Sequence, residues 1–422
     1  MFFSLVLCTL VASMVGLLQT EYRQVHRSNH FAQTLHLAEA GAEEGIAMLN
    51  NGGSSWTTNG WTASGTNYTK TVTNLTAISS SSSIGTYQVT VLGPSSANPQ
   101  IVSTGTVANS FLGASISRAV KVTLAGGATF RWAIHSETTI ETKKDALIDS
   151  FDSTSASYSD FTPGGGCVTG GAYGLYDSSL RKDNGDVAAN GTSSGTINVA
   201  KDCTFYGDVS TGPGGTIANG GNLFIGYLTN SVPSVNSNRI SSTSTEVMPL
   251  PTVPFSSSTS LGAITGSPTI NGGSGTPVDY NATSINSSGV ITFANGYTRL
   301  HVTGNINWDE VIVNPGSRVE VYLAGSMDAS KNAEINVCGQ AYQLVMYGLS
   351  ASSSFSSDKG WTFTGCIYAP GCDFDFKKEA YWSGALVGKS FSFKKSLEFH
   401  YDESLLNNGP VSGCTVVSWQ EL

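Results

Sequence analysis

The feature that most narrows the fold is a short repeat in strand-like text. Asp373 to Tyr381 reads DFDFKKEAY and Ser390 to Glu398 reads SFSFKKSLE, an offset of 17 residues. Looser copies stand at Thr139 to Leu147 (TIETKKDAL), Thr196 to Thr204 (TINVAKDCT) and Ser326 to Glu334 (SMDASKNAE), with lysines at Lys144, Lys201, Lys331, Lys378 and Lys395. Gly185-Asp186-Val187 returns as Gly207-Asp208-Val209, and strand-like runs close on Gly304, Gly325, Gly348 and Gly371. A period of about 20 residues in such text predicts a parallel β-solenoid, whose coils bury their inner faces only by stacking. The alternating pairs Phe374 and Phe376, Phe391 and Phe393, Val319 and Val321, and Leu344 and Met346 are expected to point inward. The recurring lysine is read as a solvated corner that discourages edge pairing. A basic ladder for an acidic glycan is the competing reading.

The other end of the chain reads as helix. Residues 1 to 18, MFFSLVLCTLVASMVGLL, carry no charge and no proline, a run of about the length that spans a bilayer core. The basic start and A-x-A-like site of a cleavable signal are missing. Helical text continues, with Leu35, Ala38, Ala42, Ile46 and Leu49 at three- and four-residue steps, until Asn51, Gly52 and Gly53 supply a stop. The prediction is one helix, apolar first and amphipathic later.

Between the two, Thr69 to Thr73, Tyr87 to Leu92, Ile101 to Val107 and Ile116 to Leu124 alternate as strands. They predict three or four antiparallel strands packed on the helix, with a boundary at Gly126 and Gly127. The expected division is therefore 1–53 helix, 54–127 small sheet and 128–422 solenoid. Within the last, 232–280 forms a Pro/Ser/Thr-rich excursion expected to dock on the solenoid surface. The fold class is α+β, mainly β.

Composition fits this division. With 48 Gly, 59 Ser and 43 Thr but only 12% charged residues, the chain lacks the Glu, Lys and Ala needed to solvate many helix faces. A net charge of -9 argues against nucleic-acid binding. Setting aside Cys8, in the apolar run, six cysteines remain: Cys167, Cys203, Cys338, Cys366, Cys372 and Cys414. Their even number is read as up to three disulfides in an oxidising compartment. Cys167 with Cys203 is the first pairing considered, the other four stapling the late coils and the tail.

The helix also carries a likeness. An apolar first half, then EYRQ from Glu21, then LAEAGAEEGIAML from Leu37 to Leu49 resembles the N-terminal region of the PilX-like class of type IV pilin-related proteins. FTGCIYAPGCDFDFKKEAYWSGALVGKSFSFKKSLEFHYDESL, Phe363 to Leu405, is similar to the solenoid domain often joined to such helices. The resemblance implies a helix that sits in the membrane before assembly and then packs in a filament core, with Met1 as a processed end. The assembly residues would be Phe2, Phe3, Leu5, Val6, Leu10, Val15, Leu17 and Glu21, then Leu35, Ala38, Ala42, Ile46 and Leu49. Major pilins carry glutamate at the fifth position where this chain has Leu5, a departure that favours a minor, tip-located adhesin over a main subunit. The late corners are Lys-rich where relatives have Ser-Gly-Asn.

Candidate chemistry is sparse. In EFHYDE, His400 and Asp402 share a strand face, and Asp373 and Asp375 share another. No third ligand or nucleophile stands at a useful spacing, and no catalytic or phosphate-binding motif is found. No catalytic residue, metal or cofactor is expected. A polysaccharide-cleaving β-helix, the enzymatic alternative, would need acidic residues and an arginine converging on adjacent coils. The expected role is a structural subunit of an extracellular, pilus-like surface filament. Its partners would be its own copies or other pilin-like subunits, with a surface glycan or host-cell ligand on the solenoid.

Overall fold

The computed structural model describes the chain apart from residues 1, 51–55, 66, 77–83, 95–98, 109–114, 163–173, 230–233, 247, 330–331, 351–353 and 409–410. It is mainly β, with one long N-terminal helix, a six-stranded antiparallel sheet and a parallel β-solenoid. Met1–Thr129 with Val411–Leu422 make one compact unit, and Phe130–Pro410 make the other.

In the first unit the helix α1, Phe2–Asn50, is about 74 Å long at 1.5 Å per residue. Ala38, Gly41, Ala42 and Gly45 follow the i, i+3, i+4, i+7 spacing of one helix face, and all four are buried. This stripe of small residues brings the helix close to the sheet. The approach is tightest at Gly105, where an added Cβ would lie 2.1 Å from the Thr34 carbonyl oxygen and 2.6 Å from the Ala38 nitrogen. Val89, Val91, Ile101, Val120, Val122 and Leu124 fill the interface from the sheet, closed at one end by Trp56 and Trp61. Because the obstacle is backbone, Gly105→Ala is expected to destabilise this unit by about 1–3 kcal/mol, the usual penalty of overpacking. Thermal melting of the purified variant followed by the tryptophan signal checks it.

The sheet order is Thr62–Ser64, Asn67–Thr76, Ile84–Leu92, Gln100–Val107, Ile116–Ala128 and Val411–Glu421. The expected three or four strands are six, because of a short edge strand before Asn67 and a strand that returns from the C-terminus. Val411–Glu421 pairs antiparallel with Ile116–Ala128. The solenoid is thus inserted between two neighbouring strands of one sheet.

In the solenoid, parallel ladders stack coil on coil, and all eight residues expected to face inward are buried. Aromatic columns run through the core: Phe374 lies 4.7 Å from Phe355 and 4.7 Å from Phe391 between ring centroids, and Trp382 lies 4.1 Å from Phe363. The coils do not follow chain order. The spatial sequence on one face runs Val278–Ala282, Tyr297–Val302, Val319–Leu323, Leu344–Gly348, Cys366–Tyr368 and Leu386–Gly388. It continues without a break into Ile134–Ser136, Val187–Ala189, Val209–Thr211 and Ile240–Ser241. The chain therefore enters mid-stack and builds outward to Ser241. It then crosses to the far end and builds back until Leu397–Asp402 pairs with Ala146–Phe151.

The crossing uses 242–258, whose described residues carry no strand. This strap lies along the stack. The Ser244 amide donates to the Thr211 carbonyl at 2.9 Å, and Tyr368 donates its hydroxyl to the Pro249 carbonyl at 3.0 Å. Farther on, Phe255 packs edge-on to Tyr322 and beneath the Arg299 guanidinium. The prolines suit a segment that makes no ladder hydrogen bonds.

The cysteine expectation is corrected. Cys203, Cys366 and Cys372 are free thiols. They are buried on coil interiors and behave as small apolar residues. Burial pushes the Cys372 thiol up to about 11 and raises Cys203 and Cys366 as well, which keeps them unreactive. Cys338 is disulfide-bonded. Cys167 and the side chain of Cys414 lie outside the described residues. The three free thiols rule out the expected three disulfides among these six cysteines.

Candidate assembly helix and buried polar clusters

The two halves of α1 have opposite surroundings. Leu35, Ala38, Ala42, Ile46 and Leu49 pack against the sheet. Phe3, Val6, Leu10, Val15 and Leu17 are exposed, and so are Leu7, Val11, Met14 and Leu18, which cover the remaining sides of the same turns. Glu21 is exposed just beyond. The side chains of Phe2 and Leu5 lie outside the described residues. The expected membrane span is corrected: among the described residues no helix is long and apolar enough to cross a membrane. Gln19, Thr20, Glu21 and Arg23 end the apolar stretch.

The EFHYDE strand is mostly buried. His400 is fully buried, and its Nδ1 lies 2.6 Å from Asp149 Oδ1. Tyr176 donates its hydroxyl to Asp149 Oδ2 at 2.8 Å and stacks on the His400 ring, while Arg181 stands 4.0 Å from the same carboxylate. Among the described residues His400 Nε2 meets no hydrogen-bond partner. Asp402 is also fully buried and accepts from the Ser153 and Ser404 amides; burial outweighs these bonds and raises its pKa. Glu403 accepts from Ser150 and Asn184 at 2.8 Å and pairs with Lys182. These contacts join the strand Leu397–Asp402 to Ala146–Phe151 and to the loop beyond it. The cluster is the seam where the last coil meets the first.

A second cluster escaped sequence reasoning. On adjacent coils Asp279 grips Arg299 with both oxygens at 2.7 and 2.8 Å, and Glu320 accepts from Arg318 and Tyr322, each at 2.7 Å. Burial alone would lower the Arg318 pKa, but the facing Glu320 carboxylate raises it; burial raises Tyr322. Acidic residues and arginines do converge here, as a polysaccharide-cleaving β-helix requires. Their charges are nevertheless satisfied by one another, and the Phe255 of the strap packs over them. The only sequence signal was the alternation of charge within two-residue strand steps. Asp373 and Asp375 are likewise committed, to Lys389 and Lys394. Among the described residues no group of three or more His, Cys, Asp or Glu is placed to hold a metal.

Residues 259–408 match the family described as Domain of unknown function (DUF7305). The matched stretch begins at Thr259, where the strap ends, and covers the coils that build back toward the seam. No curated protein matches. Among solved structures, the crystal structure of the competence-associated pilin ComZ from Thermus thermophilus is similar over 92% of this chain and 97% of that one, at 11% identity and a TM-score of 0.18. So low a score carries no argument for this chain.

Two titratable groups outside the matched stretch report on the early coils. Burial holds His135 down to about 4, so its contact with Glu246 of the strap is made by a neutral ring, and Glu246 pairs instead with Arg131 and Trp132. Burial raises Asp186 to about 6, with the Asp208 charge adding to it. A carboxyl raised on folding contributes stability at low pH that is lost as pH rises through about 6. Asp186→Asn keeps an oxygen for the Asp208 amide and removes the charge. It is expected to be more stable than the parent at pH 8 by about 1–2 kcal/mol, the difference vanishing near pH 4. Urea unfolding at both pH values measures it.

Proposed function

We propose that the chain is a structural subunit of an extracellular, type IV pilus-like filament, related to the PilX-like class. The carrying observation is the uncovered apolar half of α1, continuous with a half already docked on its own sheet. Leu7, Leu10, Met14 and Leu17 are each more than 60% exposed on consecutive turns. An all-round apolar helix requires neighbours on every side, and the like segments of other copies, or of other pilin-like subunits, supply them. The docked half fixes that segment to a folded head, and the solenoid is carried outward for interaction.

A minor, tip-located adhesin is the alternative role within this reading. Electron microscopy of sheared surface filaments, with labelling of this chain, tests the assignment. Label on the filaments is expected, confined to their tips if the alternative role holds. Chain recovered only in non-filamentous fractions would overturn it.

A further inference from the structure

We infer that the solenoid binds an acidic, uronate-type polysaccharide in a groove running along its axis, a proposal that deepens the reading of the solenoid as the displayed, interacting part. The groove measures about 960 Å³ and crosses consecutive coils. One wall carries Lys359, Lys378, Lys395 and Lys144, and the other carries Glu334, Thr362, Tyr381 and Glu398. The corner amides hydrogen-bond coil to coil, Lys394 to the Phe376 carbonyl at 2.9 Å and Lys143 to the Phe393 carbonyl at 2.8 Å. The lysines that follow therefore repeat at the strand spacing, about 4.8 Å, close to the length of one extended sugar residue.

The solvated-corner reading does not account for them. Lys378, Lys395 and Lys144 sit on coils paired on both sides, so no edge is there to guard. At the Lys143-Lys144 corner both lysines are paired, with Glu141 and Asp145, but the other two KK corners use their lysines differently. Lys377 pairs with Asp358 and Lys394 with Asp375, whereas Lys359, Lys378 and Lys395 have no carboxylate within ion-pair distance among the described residues. Stacked like charges repel, and a ligand carrying regularly spaced anions relieves that repulsion. The opposite wall selects among polyanions. Glu334, Glu379 and Glu398 line the same groove; they disfavour the denser negative charge of polyphosphate and accept hydrogen bonds from sugar hydroxyls. Tyr381, held against the His400 ring at 5.0 Å, offers a face to a pyranose ring.

The test uses the full chain in detergent micelles, with polygalacturonate, dextran and linear polyphosphate as probes in titration calorimetry. Polygalacturonate is expected to bind, more weakly at higher salt, while dextran does not bind. Replacing both lysines (Lys378→Gln with Lys395→Gln) is expected to weaken binding about tenfold or more, as for the loss of two charge-assisted contacts, with melting unchanged. Replacing both carboxylates (Glu334→Gln with Glu398→Gln) is expected to strengthen polyphosphate binding relative to polygalacturonate. No binding of polygalacturonate at low salt, unchanged binding by the lysine variant, or polyphosphate bound as tightly as polygalacturonate by the parent chain would each overturn the assignment. Because binding is read without assembly, its failure leaves the filament reading standing, and absent filaments leave the groove assignment standing.

Discussion

Leu10→Asp combined with Met14→Asp is expected to abolish filaments while leaving both folded units intact. The two side chains are 64% and 65% exposed and touch neither core cluster, so the substitutions remove nothing from the fold. In a packed helical core each carboxylate would be surrounded by apolar neighbours, at an effective cost of several kcal/mol per buried ion. Every subunit would incur that cost at every helix contact. Leu10→Ile, which keeps volume and polarity, is expected to assemble normally. Filament yield in sheared fractions is the readout, with circular dichroism as the folding control. Filaments in normal number from the double variant would remove α1 from the filament core.

The largest loss of stability is expected from His400→Ala. Asp149 is fully buried and holds its carboxylate by His400, Tyr176 and the more distant Arg181. Removing the imidazole strips that carboxylate of its shortest contact and leaves a void beneath Tyr176. Losing a hydrogen bond to a buried carboxylate costs about 1.5–3 kcal/mol, and the cavity left by a deleted ring adds to it, for a total of about 3–5 kcal/mol. Tyr176→Phe removes one hydrogen bond to a charged acceptor and should cost about 1.5–3 kcal/mol. The two effects should not add, since both act on one carboxylate. Hydrogen exchange locates the damage: amides of Ala146–Phe151 and Leu397–Asp402 should lose protection before those of distant coils. Uniform loss along the whole stack would argue against a local seam.

How far the sequence announced this molecule depends on the range of the interaction. The solenoid was legible because its period and its inward alternation are local, as at Phe374, Phe376, Phe391 and Phe393. Coil order was not, because a period says that coils stack without saying which coil meets which. The pairing of Leu386 with Ile134 joins segments that share no motif. The Pro/Ser/Thr-rich text of 232–280 did not separate the strap, 242–258, from the strands Thr259–Thr265, Thr269–Asn271 and Val278–Ala294 that follow it, nor did it show the route of the strap. The spacing of His400 and Asp402 shows only that they share a strand face; their partners Asp149 and Ser153 lie far upstream in the chain. The cysteines misled because an even count is silent about depth, and Cys203, Cys366 and Cys372 occupy interior positions where apolar packing is reason enough. For α1, the amphipathic second half was readable from spacing, down to the alanines that meet the sheet.

The insertion of the solenoid between Ile116–Ala128 and Val411–Glu421 has a mechanical consequence. A load applied to the solenoid leaves that unit through two covalent connections, which depart from neighbouring coils. Both end in strands of one sheet, hydrogen-bonded to each other, and one of them, with Gln100–Val107, packs against α1. The pull is shared before it reaches the helix, and neither connection can extend without shearing a ladder. A terminal domain on one linker would place the whole force on a single strand.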